Sequence, residues 1–559
     1  MKKPNVLLIT TDQQHYSMLG AVNSLINTPN LDKLVSEGTM FNRAYCANPT
    51  CSPSRASILT GMYPSRHGCY SLGTKLSESV PTLSEYLRDK GYETALVGKA
   101  HFQPTKSNEE FLSIETPEYM YNTDYWRNFK GDFYGFDNIQ LLRNHTAEHW
   151  VGQNYVAWLE DSGCKDWKKY FFRPRGKMFY KDMGTWNIPE KYHYNAFIAQ
   201  KTNELLAKSK EDDKPFFIWA SFPDPHGPHL VPKPWSKMYD PNDMELPEFS
   251  YNEHDKNPPY FKEVLKKHPH LDEYRESGYA IHGFERHEYD EKRLKKQLAL
   301  AYGMVSFTDK YIGIILDKLK ELDLEKDTLI IFTTDHGDLF GQHGFTHKCI
   351  FHYEDLLRVP FIVKYKNHIP SNISSNSIQS LVDIAPTVLD YCGVDIPSNM
   401  QGMSEKANWN GLINDMRTFA ICENRHEPHT LHMVSFIEKD YKLTFHEGRR
   451  YGELYDIKND GEEHNNLWRD EHYKNIKADL MYKLLRQELL MDGISNKTFE
   501  KDGMSIMLDT QKDECKFLLY GVDVQKHSDY IDEKIDILSF ALTKVIGERK
   551  IPMPRIANA

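Results

Sequence analysis

Thr328-Leu329-Ile330-Ile331-Phe332-Thr333, which leads through Thr334 into Asp335-His336-Gly337, decides how this chain folds. Six residues without a charge, rich in branched side chains, suit a strand buried on both faces of a parallel sheet. Three other runs end the same way. Asn5 to Thr10 leads into Asp12-Gln13, Thr94 to Gly98 into Lys99 and His101, and Phe216 to Ala220 into Asp224-Pro225-His226. Helical patterns lie between them: Leu83 to Lys90, stopped by Gly91, and Leu298 to Leu322, with apolar residues every three or four positions. Strands alternating with helices predict an α/β protein whose mainly parallel central sheet is flanked by helices. Sites in such sheets form outside the carboxyl ends of the strands. Singly, Asp12 reads as a helix cap and Asp335-His336-Gly337 as a strand-to-helix turn. Together the four runs point their polar residues at one rim.

A fifth segment, Cys51-Ser52-Pro53-Ser54-Arg55-Ala56-Ser57-Ile58-Leu59-Thr60-Gly61, reads as a proline-started helical turn with a glycine stop. Cys51 then sits at a helix N-terminus, which favours anions, and Arg55 adds a charge able to fork onto a tetrahedral oxyanion. The alternative is a buried, small apolar cysteine beside a structural arginine.

With 559 residues the chain exceeds one ordinary core, and a boundary after Gln401-Gly402-Met403-Ser404 divides it into a catalytic part, 1–405, and a smaller one, 406–559. The smaller part is expected to hold strands at Thr418–Cys422, Leu431–Ile437, Lys442–His446 and Glu453–Tyr455 and a helix near 471–492, which makes it α+β with an antiparallel sheet. A net charge of −11 argues against nucleic acid as a partner. No run reaches the ~18 apolar residues of a membrane span. The N-terminal apolar run is interrupted early by Asp12 and reads as a strand, not a signal peptide. Eight cysteines without compact spacing fit a reducing cytoplasm. Two insertions stand out. Residues 105–200 are dense in aromatics, among them Tyr119, Tyr125, Trp126, Phe129, Phe133, Tyr134, Phe136 and Trp150, with Arg143 and His145, and form either a wall for sugar rings or a layer packed on the sheet. Residues 233–295 carry charges of both signs and are expected at the surface. The tail after 493 has no readable motif.

The chain resembles the formylglycine-dependent (type I) sulfatases of the alkaline-phosphatase-like superfamily. The likeness rests on the cysteine segment together with Pro4-Asn5, Thr28-Pro29-Asn30-Leu31-Asp32, Gly98-Lys99-Ala100-His101, Asp335-His336-Gly337, Arg358-Val359-Pro360-Phe361 and Glu453-Leu454-Tyr455-Asp456. The resemblance implies that Cys51 is oxidised to formylglycine by a maturation enzyme. It also implies a divalent cation, calcium first and manganese or magnesium next, held by Asp12, Gln13, residue 51, Asp335 and His336. Gln13 and His336 stand where many members have aspartate and asparagine, a pattern closer to choline sulfatases and phosphonate monoester hydrolases, and to some glycan sulfatases.

By matching position, Arg55 and His101 support the hydrated aldehyde, Lys99 clamps sulfate, and His226 and Lys348 bind sulfate and protonate the leaving oxygen. Of the neighbouring histidines, His229, His343 and His347 are expected to be solvated loop residues. The implied activity is hydrolysis of the sulfate ester of a small carbohydrate, with a homo-oligomer as the expected assembly. A phosphonate monoester or phosphodiester hydrolase, a choline sulfatase, and an anion- or glycan-binding protein with unmodified Cys51 are the alternatives.

Overall fold

A computed structural model describes residues 3–105, 112–148, 151–171, 182–274, 284–348, 350–425 and 431–491, and three short strands, Phe499–Lys501, Met504–Asp509 and Lys516–Tyr520. Trp150 and the rest of the tail lie outside the described residues. Among the described residues nine strands form the central sheet: β1 Asn5–Asp12, β2 Thr39–Tyr45, β3 Glu93–Gly98, β4 Asn138–Leu141, β5 Phe216–Pro225, β6 Thr328–Thr334, β7 Arg358–Val359, β8 Phe361–Lys364 and β9 Ile373–Ser380. Their order is β9-β2-β8-β6-β1-β5-β3-β4, with β7 paired to β2. Pairings β6-β1, β1-β5, β5-β3 and β3-β4 are all parallel, and only β8 and β7 run against their neighbours. The mainly parallel α/β fold expected from the apolar runs is therefore what forms.

The unbroken apolar runs have a simple cause. Successive strand residues face opposite sides of the sheet, and both sides are covered. Val6, Leu8, Phe217, Trp219, Leu329 and Ile331 enter one core, while Leu7, Ile9, Ile218, Ala220, Ile330 and Phe332 enter the other. Each Val, Leu, Ile or Phe among them contributes about 1.5–3 kcal/mol by leaving water. The strands run further than their apolar cores suggested, β5 continuing through Asp224 to Pro225.

Four helices pack on the sheet's two faces: α1 Pro29–Glu37, α2 Cys51–Thr60, α3 Leu83–Asp89 and α4 Tyr194–Glu211. The long helix α5, Glu291–Glu321, begins two turns before the predicted Leu298. Its first residues are mostly charged, with Leu294 the one apolar position before Leu298, and Asp290 caps the helix by accepting from the Arg293 N–H.

The C-terminal sheet is antiparallel, as expected: β10 Ala420–Arg425, β11 His432–Ile437, β12 Lys442–His446 and β13 Gly452–Tyr455, with helix α6 Lys474–Met491 after it. Its core takes in Ala47, Tyr63 and Val382 from the larger part, so the two share packing. No helix among the described residues is long and apolar enough to cross a membrane.

Of the two insertions, the aromatic one takes the second of its two expected forms, a layer packed on the sheet, and the charged one differs from expectation. Tyr119, Tyr125, Trp126, Phe129, Phe133, Tyr134 and Phe136 all pack into or against the core on one face of the sheet. Burial of rings this large outweighs what a solvent-facing sugar wall would gain. The 233–295 segment is not purely superficial either. Tyr260 and Phe261 are buried in the same core, and the segment's last residues reach the rim described next.

Candidate active site

The carboxyl ends of β6, β1, β5 and β3 are adjacent in the sheet and deliver Asp335, Asp12, Asp224 and Lys99 to one edge. Gly98, which ends β3, has φ 108°, and a Cβ there would lie 1.9 Å from the Ser221 carbonyl oxygen. Only glycine allows β3 to press this closely against β5, and the Lys99 N–H then donates to Ser221 O at 3.0 Å. Lys99 is thereby fixed beside Asp12.

Helix α2 lies across this edge with all ten residues buried. Cys51 itself is the first helical residue, behind Thr50, and Pro53 is third, not first as predicted. A third-position proline costs nothing, because the first N–H groups of a helix have no intrahelical partner. Gly61 ends the helix in the left-handed conformation at φ 66° and donates to Ser57 O.

Arg55, one turn into α2 and wholly buried, ties the rim together. Its Nε donates to Asp335 Oδ2 at 2.8 Å and its Nη2 to Asp12 Oδ2 at 3.2 Å. Its Nη1 donates to Lys99 O at 3.0 Å and Ser221 Oγ at 2.7 Å. Asp335 Oδ1 accepts from the N–H groups of Gln13 and His336, each at 3.0 Å. Lys99 Nζ donates to Asp12 Oδ2.

Around Cys51 Sγ stand Lys348 Nζ at 2.8 Å, His336 Nε2 at 3.2 Å and Asp12 Oδ1 at 3.6 Å. Burial and Asp12 push the Cys51 thiol up, yet Lys348 and Lys99 outweigh them and hold it below the usual thiol range. Burial likewise opposes ionisation of Asp12, but Lys99, His226 and Arg55 keep this carboxyl well below the carboxylate range.

Asp12, Cys51, Asp335 and His336 place their ligand atoms within 4.8 Å of one another. Gln13 Oε1, beside them in sequence, is buried and has no hydrogen-bond partner. His336 Nδ1 donates to Gly337 O at 2.8 Å, which leaves Nε2 as its ligating atom. Oxygen donors with one imidazole fit a hard divalent cation, so the residues present suit the implied metal.

The remaining predicted residues line one cavity of about 380 Å³ that opens onto Cys51: His101, His226 and Lys348, with Gln13 at its base. His101 has φ 61°, and its Nδ1 is buried without a partner. Burial, then Arg143 and Lys99, hold its ring well below the normal histidine range, so it is neutral. His226 Nδ1 donates to Gly227 O at 2.5 Å, which leaves its Nε2 free.

His229 and His343, expected in solvent, are buried. His229 opens a short strand, His229–Val231, and lines the cavity, whereas His343 lies flat on Tyr353, away from it. His347, also expected in solvent, lines the cavity too, 3.7 Å from Glu285.

The structure also adds residues that no strand-end pattern pointed to. His145 Nε2 lies 2.7 Å from Lys99 Nζ, and the ring stacks on His226 at 3.7 Å between centroids. Burial first, then Lys99, lowers its pKa, so the neutral ring accepts from the ammonium. Glu148 Oε2 holds the opposite nitrogen at 3.2 Å. Glu115 receives the His101 and Gln103 N–H groups and Arg143 Nη1, and so shapes the loop behind Lys99. Only the His-x-x-Glu spacing of His145 and Glu148 hinted at this relay. Glu285, Arg286, Glu288 and Arg293 form the far wall.

The family model described as Sulfatase matches residues 4–394, and one described as N-sulphoglucosamine sulphohydrolase, C-terminal, matches residues 341–489. An arylsulfatase of Clostridium perfringens is 29% identical over 516 residues, covering 87% of this chain and 94% of that one. An N-acetylglucosamine-6-O-sulfatase of Bacteroides thetaiotaomicron is 27% identical and covers 86% of each. In structure, a phosphonate monoester hydrolase of Agrobacterium radiobacter is similar at a TM-score of 0.71 and 24% identity, with 88% of this chain and 96% of that one covered.

Proposed function

Since the chain belongs to the sulfatase family and is a sulfuric ester hydrolase, we propose that it removes sulfate from a small carbohydrate, with Cys51 converted to formylglycine and a hard divalent cation beside it. One observation carries this reading. Cys51 opens a buried helix at the point where Asp12, Asp335, Arg55, Lys99 and Lys348 converge. Two carboxylates face three fixed cations there, so the pocket suits an anion even before a metal is counted.

Asp12, Gln13, Asp335, His336 and residue 51 would hold the cation, which supplies Lewis-acid polarisation and lowers the pKa of an oxygen bound to it. The hydrated aldehyde at residue 51 supplies the nucleophilic hydroxyl for attack on sulfur. Arg55 keeps Asp12 and Asp335 ionised and in place. Lys99 and Lys348 meet negative charge growing on the sulfate oxygens, a contribution usually larger than proton transfer. Lys348 Nζ, a donor within 2.8 Å of the residue 51 side chain, is placed to protonate the departing alcohol oxygen. The neutral His101 ring accepts the proton when sulfate is expelled. His145 takes one Lys99 hydrogen and so aims the ammonium; general acid–base help of this kind contributes typically ~10²–10⁴-fold.

A sugar substrate is supported by the hydrogen-bonding side chains among the cavity's lining residues, Glu285, Arg286, Glu288 and Gln297, and by the N-acetylglucosamine-6-O-sulfatase relative. Gln13 and His336, a pattern that resembles phosphonate monoester hydrolases as well as choline and some glycan sulfatases, keep phosphonate monoester hydrolysis as a second reading. Two measurements test the proposal. The mass of the 46–66 peptide from protein matured in the presence of a formylglycine-generating enzyme must show loss of the Cys51 sulfur. The kcat/KM on a sulfated sugar or aryl sulfate must exceed that on an aryl phosphonate; the reverse order would establish the second reading.

A further inference from the structure

Away from the rim, three chain segments bring a carboxylate and two imidazoles together. Glu253 comes from the 233–295 insertion, His343 from the loop that leads to Lys348, and His464 from the loop after β13. His343 Nδ1 lies 2.8 Å from Glu253 Oε1, and His464 Nδ1 lies 3.2 Å from Glu253 Oε2. The three ligand atoms are within 4.8 Å of one another. We propose that Glu253, His343 and His464 form a second metal site, for a divalent ion of the zinc class, that clasps these three segments together.

The donor set is His₂Glu, which zinc accepts readily with water as fourth ligand. A tetrahedral site with bonds of about 2.0–2.1 Å needs its ligand atoms roughly 3.3 Å apart, so little movement separates the present geometry from a loaded one.

Independent support comes from what holds the rings. His464 Nε2 lies 3.2 Å from Glu462 Oε2, so that nitrogen carries the hydrogen. The ring's Nδ1 therefore faces a carboxylate, and a cation shared by the two, a proton or a metal ion, is what joins them. Carboxylate–histidine–metal triads are built this way. His343 is equally fixed: its backbone is left-handed at φ 56°, and its ring lies on Tyr353 at 3.6 Å and 9°. Its carbonyl oxygen accepts from His254 Nε2 at 2.8 Å. The Glu253 and His343 side chains are 7% and 3% exposed, while His464 at 38% leaves an entry path. The clasp would brace the loop that carries Lys348 without touching the reacting atoms.

The test uses the full chain, treated with chelator and then kept in calcium so that the rim site carries its own ion. Zinc is titrated against a competing chelator, and bound zinc and the unfolding midpoint are measured for wild type, His464→Ala and Glu253→Gln. The wild type is expected to take up one zinc per chain more than either variant, and to gain a few degrees in midpoint that both variants lose. Affinity in the variants should fall by about 100-fold or more. Equal zinc uptake and equal midpoints in wild type and His464→Ala overturn the proposal, because the alternative bridging cation is then only a proton. His464 is at the surface, so His464→Ala decides the matter even where Glu253→Gln folds poorly.

Discussion

Arg55→Met is the sharpest perturbation of the rim. It removes a wholly buried guanidinium that donates to both Asp335 Oδ2 and Asp12 Oδ2, and also to Ser221 Oγ and Lys99 O. Asp12 keeps Lys99, and Ser221 Oγ already donates to Lys99 O at 2.7 Å. The loss therefore falls mainly on Asp335, which retains only the two backbone N–H donors at Oδ1. Breaking a buried ion pair from one side costs about 3–5 kcal/mol. That is a large part of the ~5–15 kcal/mol that holds a typical protein folded. At roughly 2 °C per kcal/mol for a large chain, the unfolding midpoint should fall by about 5–10 °C. The assay is thermal unfolding of both proteins in chelator and in millimolar calcium. A cation at the two carboxylates takes over part of the missing charge, so the deficit should narrow in calcium. A midpoint within about 2 °C of wild type in chelator, or a deficit that calcium leaves unchanged, would refute the electrostatic account of Arg55.

Three further outcomes are expected. Cys51→Ala should abolish turnover in a steady-state sulfatase assay while moving the midpoint little, since one small buried residue replaces another; measurable turnover would exclude residue 51 as the nucleophile. His145→Ala should lower kcat/KM by about 100-fold through misaimed Lys99, and His145→Gln, which keeps an acceptor, should recover part of it; equal kinetics for the two variants would remove His145 from the relay. Asp224 is pushed up to about 7, mainly by burial, despite donors from Tyr194 and Asn195. Its folded form holds a proton that the unfolded chain releases near pH 4, so its contribution to stability falls as pH rises from about 4 to 7. Asp224→Asn should therefore gain on wild type across that window by a few kcal/mol in denaturant unfolding, and a constant difference with pH would contradict the assignment.

How much of the site could be read in advance follows from where its residues sit. Asp12, Lys99, His226 and Asp335 each trail a buried strand, so two local patterns, an apolar run and a polar stop, located them. Cys51 and Arg55 share one turn of one helix, and their spacing alone set their relation. Gln13, His101 and His336 stand in the same polar stops, whereas Lys348 came from resemblance of motif alone, because a loop carries no period to read.

The chain by itself determined which runs would be buried on both faces, and hence a parallel sheet with one polar rim, because side-chain alternation and hydrophobicity are properties of neighbours in sequence. Only the tertiary structure decided that His145 and Glu148 complete Lys99, that the aromatic insertion packs inward, and that Glu253, His343 and His464 meet. Those contacts join residues 46, 90 and 211 positions apart. Such pairings depend on how helices and insertions fold back over the sheet, and no local period encodes that.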